Sequence, residues 1–343
     1  MRNYIPFKKL FLFLSLPLIF FIKTPSLQST VLPSNPSIVF VHLGPSLPEY
    51  LPIAIAQAHL FNPTFSIYLL ANETALKNHS KELTDLQVKL ISCESLLKNK
   101  FHKKFIARSK LDKKFRNGFW TFTTERFFYL EEFLEQYKLS DVFHVENDIM
   151  LYTNLEELLP IFRQNYTNMI GATFDNDHRC IPGFLYISNV KPLKQLVKFI
   201  AKRAHKSNND MKSLAQFRKK YHKQWIEHLP ILPPEYTQDH TLISTSGSRG
   251  TDPSHFFKHF EKFNSIFDAA AIGQYLGGID PWHKNSDPGF INEECVFNPQ
   301  NFCFYWKEDN QGRKIPIIAY KEKECKINNL HIHSKNLNKF KSR

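Results

Sequence analysis

Asp141-Val142-Phe143-His144-Val145-Glu146-Asn147-Asp148 carries the decisive pattern in this 343-residue chain. A short apolar strand runs straight into a triplet holding two carboxylates. In open α/β sheets ligands gather beyond the carboxyl ends of strands, so acids placed there are positioned for chemistry. Residues two apart in extended backbone share a face, so Glu146 and Asp148 converge on one hard cation while Asn147 faces elsewhere. The competing reading is an acidic turn that caps a following helix at 154–159.

Working outward, residues 37–41 are apolar without alternation, as expected of a strand covered on both faces. A helical stretch at 50–61 and a second strand at 65–70 complete a βαβ unit. An amphipathic helix at about 124–137 places Phe127, Leu130, Phe133, Leu134 and Tyr137 on one face, with Glu131, Glu132 and Glu135 elsewhere. Downstream come a basic helical region at about 192–223 and breaks at Pro230, Pro233 and Pro234. An irregular stretch after Thr251, a hairpin around Asp309-Asn310-Gln311-Gly312 and a strand at 327–332 follow. The expected class is α/β, a mostly parallel mixed sheet flanked by helices.

Composition narrows the function. The chain is 42% hydrophobic and 14% aromatic, enough for a substantial core, and its 45 Lys and Arg against 32 Asp and Glu give a net charge of +13. Partners are therefore anionic: nucleic acid, a phosphate-bearing metabolite or a membrane surface. The 11 glycines are sparse, about 3% against roughly 7% in average proteins. No Rossmann glycine fingerprint follows an early strand, and no P-loop, H-E-x-x-H, G-x-S-x-G or C-x-x-C is present.

Arg2, Lys8 and Lys9 precede an apolar run at 10–22. Thirteen residues rise about 20 Å as a helix, short of the roughly 30 Å hydrocarbon core, which suits a signal peptide or a short signal anchor. Residues 1–27 are thus expected to form a single-pass anchor, or a cleaved signal that would leave a secreted protein. A Ser/Pro-rich stem at 28–36 leads to a domain at 37–340. The matching location is a membrane surface in the secretory pathway or Golgi lumen, or a bacterial envelope. Of five cysteines, Cys295 and Cys303 are close enough in sequence to bridge in an oxidising compartment. Sequons at Asn72, Asn78 and Asn165 lend weak support to that route.

Residues 98–116 hold nine Lys/Arg and one acid, with Phe101, Phe105 and Phe115 interleaved. That pattern fits phosphates and stacked bases, or a solvated or lipid-facing basic helix. With no recognisable nucleic-acid module around it, the second reading is preferred and no nucleic-acid partner is expected.

The second chemical signal is His331-Ile332-His333, with Lys335 close behind. The two imidazoles share a side of an extended segment, so either is able to complete a metal site begun by Glu146 and Asp148. Lys335 then reaches a phosphate as a point charge. Carboxylate, imidazole and lysine around a metal-bound diphosphate make one coherent site, in which the cation neutralises charge on a departing phosphate.

Several blocks together resemble GT-A-fold glycosyltransferases of the DxD type. They are the Val-Phe-His-Val strand with its acidic triplet, the preceding Glu125-Arg126-Phe127-Phe128-Tyr129-Leu130 and the following Leu151-Tyr152-Thr153-Asn154-Leu155. Pro182-Gly183-Phe184-Leu185-Tyr186-Ile187-Ser188-Asn189, the segment 267–281 and the segment 326–335 extend the likeness. The resemblance implies transfer of a sugar from a nucleotide-diphosphate donor, a UDP-sugar with Mn²⁺ or Mg²⁺, to a glycan, glycolipid or glycoprotein acceptor, in the manner of a hexosyltransferase. It implies Asp148 as principal metal ligand, Glu146 on the metal or the donor ribose, and His331 or His333 as the late ligand. Arg126 and Lys335 would meet the diphosphate, and Val41, His42 and the stretch from Leu70 to Asn72 the base. The triplet opens with Glu instead of Asp, and that longer arm leaves direct or water-mediated contact open.

For a base, Asp210, Asp268, Asp280 and Glu293 are candidates, each with an alternative as a cap or turn residue. Gly277-Gly278 either lets a sugar approach or makes a tight turn. Trp282 and Trp306 either stack on a sugar or pack in the core. A catalytically silent carbohydrate- or nucleotide-binding protein on the same scaffold, and a nucleic-acid binder using 98–116, are the competing functions.

Overall fold

The computed structural model describes residues 36–77, 80–221, 224–237, 252–282 and 287–343. The expected anchor at 1–27, nearly all of the stem and Asn78 lie outside the described residues. Among the described residues no helix is long and apolar enough to cross a membrane.

The N-terminal half alternates strand and helix. β1 (Ser37–His42), α1 (Leu51–Phe61) and β2 (Ser66–Ala71) are followed by α2 (Glu73–Lys77), α3 (Ser80–Asp85), β3 (Lys89–Ser92) and α4 (Lys100–Arg108). Then come α5 (Phe119–Tyr137), β4 (Val142–Val145), β5 (Ile149–Leu151), α6 (Leu155–Asn165), β6 (Ile170–Asn176) and β7 (Arg179–Ile187). The rest comprises α7 (Val190–Arg203), α8 (Asp210–Lys220), β8 (Ile226–His228), α9 (Phe260–Phe263), β9 (Ser265–Ile266), α10 (Ala271–Gly277), β10 (Cys303–Glu308), β11 (Lys314–Tyr320), β12 (Lys323–Ile327) and β13 (Asn329–His331).

Seven strands form the central sheet in the order β3-β2-β1-β4-β7-β6-β8. Only β7 runs against its neighbours; the other pairings are parallel. This is the α/β class with a mostly parallel mixed sheet flanked by helices. Such strands need apolar side chains on both faces, and β1 and β4 are buried along almost their whole length. The core between sheet and helices is aromatic. Phe143 on β4 meets Phe162 of α6 at 5.2 Å and Tyr186 of β7 at 5.3 Å between ring centroids. Each such fully buried ring contributes about 1.5–3 kcal/mol.

Several elements differ in detail from the sequence reading. The basic region at 192–223 is two helices, because Ser207 takes a left-handed conformation and Asn209 caps α8 by accepting from the Lys212 N–H. The acidic triplet does not cap a helix: β5 intervenes, and Asn154 caps α6 with its own side chain. The hairpin at 309–312 joins β10 to β11. Cys295 and Cys303 are unpaired, Cys295 buried and Cys303 exposed on β10, so the expected bridge is not formed.

In the segment 98–116, Phe105 is buried and stacks on Phe128 at 4.9 Å, while Phe101 packs against the core. Only Phe115 of the three aromatics is exposed. The basic side chains of α4 therefore line a helix whose aromatics serve its own packing.

Candidate active site

β4 delivers the acidic triplet at the carboxyl edge of the sheet, and a second, small ladder brings the late histidines to it. β5 pairs antiparallel with β13, with Ile149 opposite His331. The Ile332 N–H donates to the Asp148 carbonyl at 2.9 Å, and the Glu146 N–H to the Gly183 carbonyl at 2.9 Å. Two stretches of chain nearly two hundred residues apart are thereby fixed in register, and the side chains have little freedom to miss one another.

Glu146, Asp148 and His331 each offer one ligand atom, all within 4.8 Å of one another. His331 Nε2 lies 3.2 Å from Glu146 Oε2 and 3.3 Å from Asp148 Oδ1. The second oxygen of each acid is held by a cation: Arg126 Nη1 donates to Glu146 Oε1, and Lys335 Nζ to Asp148 Oδ2. Arg126, buried on α5, also donates to Asp210 Oδ2 at 2.8 Å. Each carboxylate so presents one fixed oxygen toward His331. Two carboxylate oxygens and one imidazole nitrogen, converging from three directions, suit a divalent cation that takes its remaining ligands from phosphate and water.

The triplet is a turn closed by the Ile149 N–H on the Glu146 carbonyl at 3.1 Å, and not plain extended chain. Its acids still converge, and Asn147 leaves on the other side to donate from Nδ2 to His42 Nδ1 at 3.0 Å.

Electrostatics keep the acids charged. Burial pushes the Asp148 carboxyl up, but Lys335 and His331 outweigh it and hold the group well below the usual carboxylate range. Glu146 is likewise lowered, with Arg126 and His331 overcoming desolvation. His331 is raised, because Asp148 and Glu146 more than offset its burial. His333 is pushed well below its ordinary value by desolvation and by the neighbouring His331. Its ring packs 4.3 Å from that of His331, and its Nδ1 accepts from Gln274 Nε2 at 2.9 Å. His331, and not His333, belongs with Glu146 and Asp148 to the group that could hold a metal ion.

Two glycines make room. A Cβ on Gly183 would lie 2.8 Å from His331 Nδ1, and one on Gly273 would lie 2.1 Å from the His331 carbonyl oxygen. α10 therefore packs directly on the β13 backbone. Gly277 packs against Phe340, and Gly278, at φ +84°, ends α10; the pair makes a tight turn.

Of the expected bases, Asp268 is buried and accepts from the N–H groups of Ile272 (3.0 Å), Gly273 (2.9 Å) and His331 (3.0 Å). It anchors α10 and β13 and does not face an opening. Asp210 opens α8 and binds Arg126, so it positions Glu146 from behind. Glu293 is exposed. Asp280 is half-buried, with Oδ2 on Arg116 Nη1 at 2.6 Å and Oδ1 on the Trp282 N–H at 3.0 Å. Its charge acts on both Tyr50 and Lys335. Trp282 is 81% exposed and Trp306 39%.

On the opposite flank, β1 and β2 end with Val41 beside Leu70 and His42 beside Ala71. Asn72 Oδ1 accepts from the Gly44 N–H at 2.8 Å and Nδ2 donates to Glu94 Oε1 at 2.8 Å. His42 donates from Nε2 to the Ser46 carbonyl at 2.7 Å. Val41, His42 and Asn72 thus shape the strand ends beside the acid turn.

The sequence reading had no signal for Tyr50. The Lys335 ammonium lies 5.7 Å from its ring centre, and burial together with the nearby acids raises the phenol to about 12. It also passed over Asn147 as the link to His42 and Gln274 as the partner of His333.

No family model and no curated protein sequence matches the chain. Among solved structures, it is similar to mouse xyloside xylosyltransferase 1 at a TM-score of 0.42 and 10% identity, over 65% of this chain and 94% of that one. The glycosyltransferase GlyE of Streptococcus pneumoniae matches at a TM-score of 0.36 and 16% identity, over 57% of this chain and 45% of that one. A cytidylyltransferase from Leptospira borgpetersenii matches at 0.35 and 8% identity, over 57% and 75% of the two chains. At these scores the likeness is partial, and what the site is able to do follows from its own side chains.

Proposed function

We propose that the chain is a metal-dependent glycosyltransferase that takes a sugar from a nucleotide-diphosphate donor, a UDP-sugar, and passes it to a glycan, glycolipid or glycoprotein acceptor. The observation that carries this reading is the meeting of Glu146, Asp148 and His331 at the carboxyl edge of the sheet, with Lys335 beside them. Mn²⁺ or Mg²⁺ bound there would neutralise charge on the departing diphosphate. Asp148 and His331 would hold it, with Glu146 on the metal or the donor ribose.

The chain's own residues do the rest. Arg126 and Asp210 fix the Glu146 carboxylate, and Lys335, which donates to Asp148, would add a positive charge beside a phosphate held through the metal. The ends of β1 and β2, at Val41, His42 and Asn72, offer the base its place. Asp280 combines partial exposure with an electrostatic reach to Lys335, so it is the best placed of the acids to take an acceptor hydroxyl proton. A residue range of 1–27 acting as anchor, or as a signal whose removal releases the protein, would set this site at a membrane in a secretory compartment or envelope.

Incubation with labelled UDP-sugars and Mn²⁺ tests the reading. Release of UDP that depends on the metal, and that falls at least a hundredfold in Asp148→Ala, is the expected result. Donor binding without turnover would instead identify a silent nucleotide-binding protein on the same scaffold.

A further inference from the structure

A second group of ligand-type side chains lies on the same edge of the sheet, away from the acid turn. Asp177 sits in the turn after β6, His228 ends β8, and His255 lies in the short 3₁₀ segment Pro253–Phe257. β6 and β8 run parallel to β4, so all three carboxyl ends point the same way. With strands about 4.8 Å apart, β8 stands roughly 14 Å from β4 across the sheet.

One ligand atom from each of Asp177, His228 and His255 lies within 4.8 Å of the other two. His255 Nδ1 and Asp177 Oδ1 are 3.6 Å apart. That is too long for a hydrogen bond. It is close to the edge of a tetrahedron with bonds of about 2.0–2.2 Å, which is roughly 3.3–3.6 Å. Asp177 Oδ1 is buried and receives no hydrogen bond.

The imidazole of His228 is held in place from several sides. It stacks on Phe174 at 4.4 Å and meets the edge of Phe256 at 5.3 Å. Its carbonyl accepts from Tyr166 Oη at 2.6 Å, and its N–H donates to Glu227 Oε1 at 2.9 Å. The Phe256 carbonyl accepts from the Ile231 N–H at 2.8 Å, which fixes the neighbour of His255 to the same layer. His228 is wholly buried while Asp177 and His255 are half-buried, so the cluster has a closed back and an open front.

We propose that Asp177, His228 and His255 form a second metal site, which takes a zinc-class divalent ion through two imidazole nitrogens and one carboxylate oxygen. Two imidazoles favour borderline ions over Mg²⁺ or Ca²⁺, whereas the acids at 146 and 148 with phosphate favour harder ones. An ion here would clip the β6–β7 turn to residues on both sides of the segment 229–254. Cross-links that close long loops remove chain entropy from the unfolded state. The inference is independent of the glycosyltransferase reading.

The test uses the full chain, stripped of metal, in an Asp148→Asn background that disables the acid-turn site. Zn²⁺ alone is titrated against a chromogenic chelator, and Co²⁺ alone is followed by its visible absorption. One equivalent should bind in Asp148→Asn, and both His255→Gln and Asp177→Asn should weaken it at least tenfold while keeping the parent's metal-free melting temperature. Absence of a bound equivalent in Asp148→Asn, or unchanged affinity in both added variants, would overturn the proposal. Should one of the two variants fail to fold, the other decides.

Discussion

Gly183 shows how a single missing methyl shapes the site. Its carbonyl receives the Glu146 N–H at 2.9 Å, while its bare Cα leaves room for the His331 ring. A Cβ there would stand 2.8 Å from His331 Nδ1 and 2.9 Å from Ile149 Cδ1. The end of the Ile149 side chain is able to turn away; the imidazole, fixed by β13, has much less freedom. Gly183→Ala is therefore expected to cost about 1–3 kcal/mol in stability by overpacking. If His331 holds the metal, as proposed, Mn²⁺ binding in the presence of UDP should weaken at least tenfold, because the added methyl displaces the ring. Calorimetric titration and a thermal melt check the two parts separately; a variant that binds the metal as the parent does would show that His331 is not a ligand.

The docking of α4 on α5 is an element-scale device built on charge. His102 of α4 is fully buried between two acids of α5, with Nε2 2.9 Å from Glu125 Oε1 and Nδ1 3.1 Å from both oxygens of Glu132. Burial lowers its tendency to hold a proton, but Glu125 and Glu132 outweigh that and raise it. Glu131, next to Glu132 and touching Asn99, is pushed up to about 7, by burial first and then by Glu132, against the pull of Lys194. Both groups have folded values above their unfolded ones. Their contribution is therefore full at low pH and is lost as pH rises, from above 4.5 for Glu131 and from above 6.5 for His102. Glu131→Gln should flatten the fall in melting temperature between pH 5 and 8. Between 4.5 and about 7, at about 1.36 kcal/mol per pKa unit, the Glu131 contribution is on the order of 3 kcal/mol. A melting temperature as steep against pH in this variant as in the parent would refute the assignment.

The same helix marks the limit of what the sequence discloses. The spacing of Phe127, Leu130, Phe133 and Leu134 shows the face of α5 that meets the sheet, but Glu131 and Glu132 are buried as well, because α4 covers the other face. Hydrophobic periodicity reports one buried side, and a partner helix that brings its own histidine erases the signal. Strand ends were legible for a related reason: an apolar run that stops at two acids announces where backbone pairing gives way to chemistry. Arg126 and Lys335 were legible as charges but not as partners, since the carboxylates they meet, Glu146 and Asp210 for Arg126 and Asp148 for Lys335, are brought to them only by the fold. Tyr50 and Asn147, one in the turn before α1 and one inside the triplet, carry no pattern and become visible only when the chain is folded.

Across the whole molecule, the acid-turn site is assembled from parts that fold far apart in sequence. β4 and β5 bring Glu146 and Asp148, α5 brings Arg126, α8 brings Asp210, and β13 with the turn after it brings His331 and Lys335. An unfolded chain cannot present these groups together, so a metal–nucleotide pair that binds them binds the native state alone. Stability then rises by mass action, about 2.7 kcal/mol at a ligand concentration a hundred times its Kd. For a domain of this size that corresponds to a rise in Tm on the order of 5 °C. Mn²⁺ with UDP should produce it. Asp148→Ala should melt without that rise, because the carboxylate is gone and the ammonium of Lys335 is left facing the site. If the metal and nucleotide together leave the parent's Tm unchanged at saturating concentrations, the convergence of these elements is a device for folding and not a place for a donor.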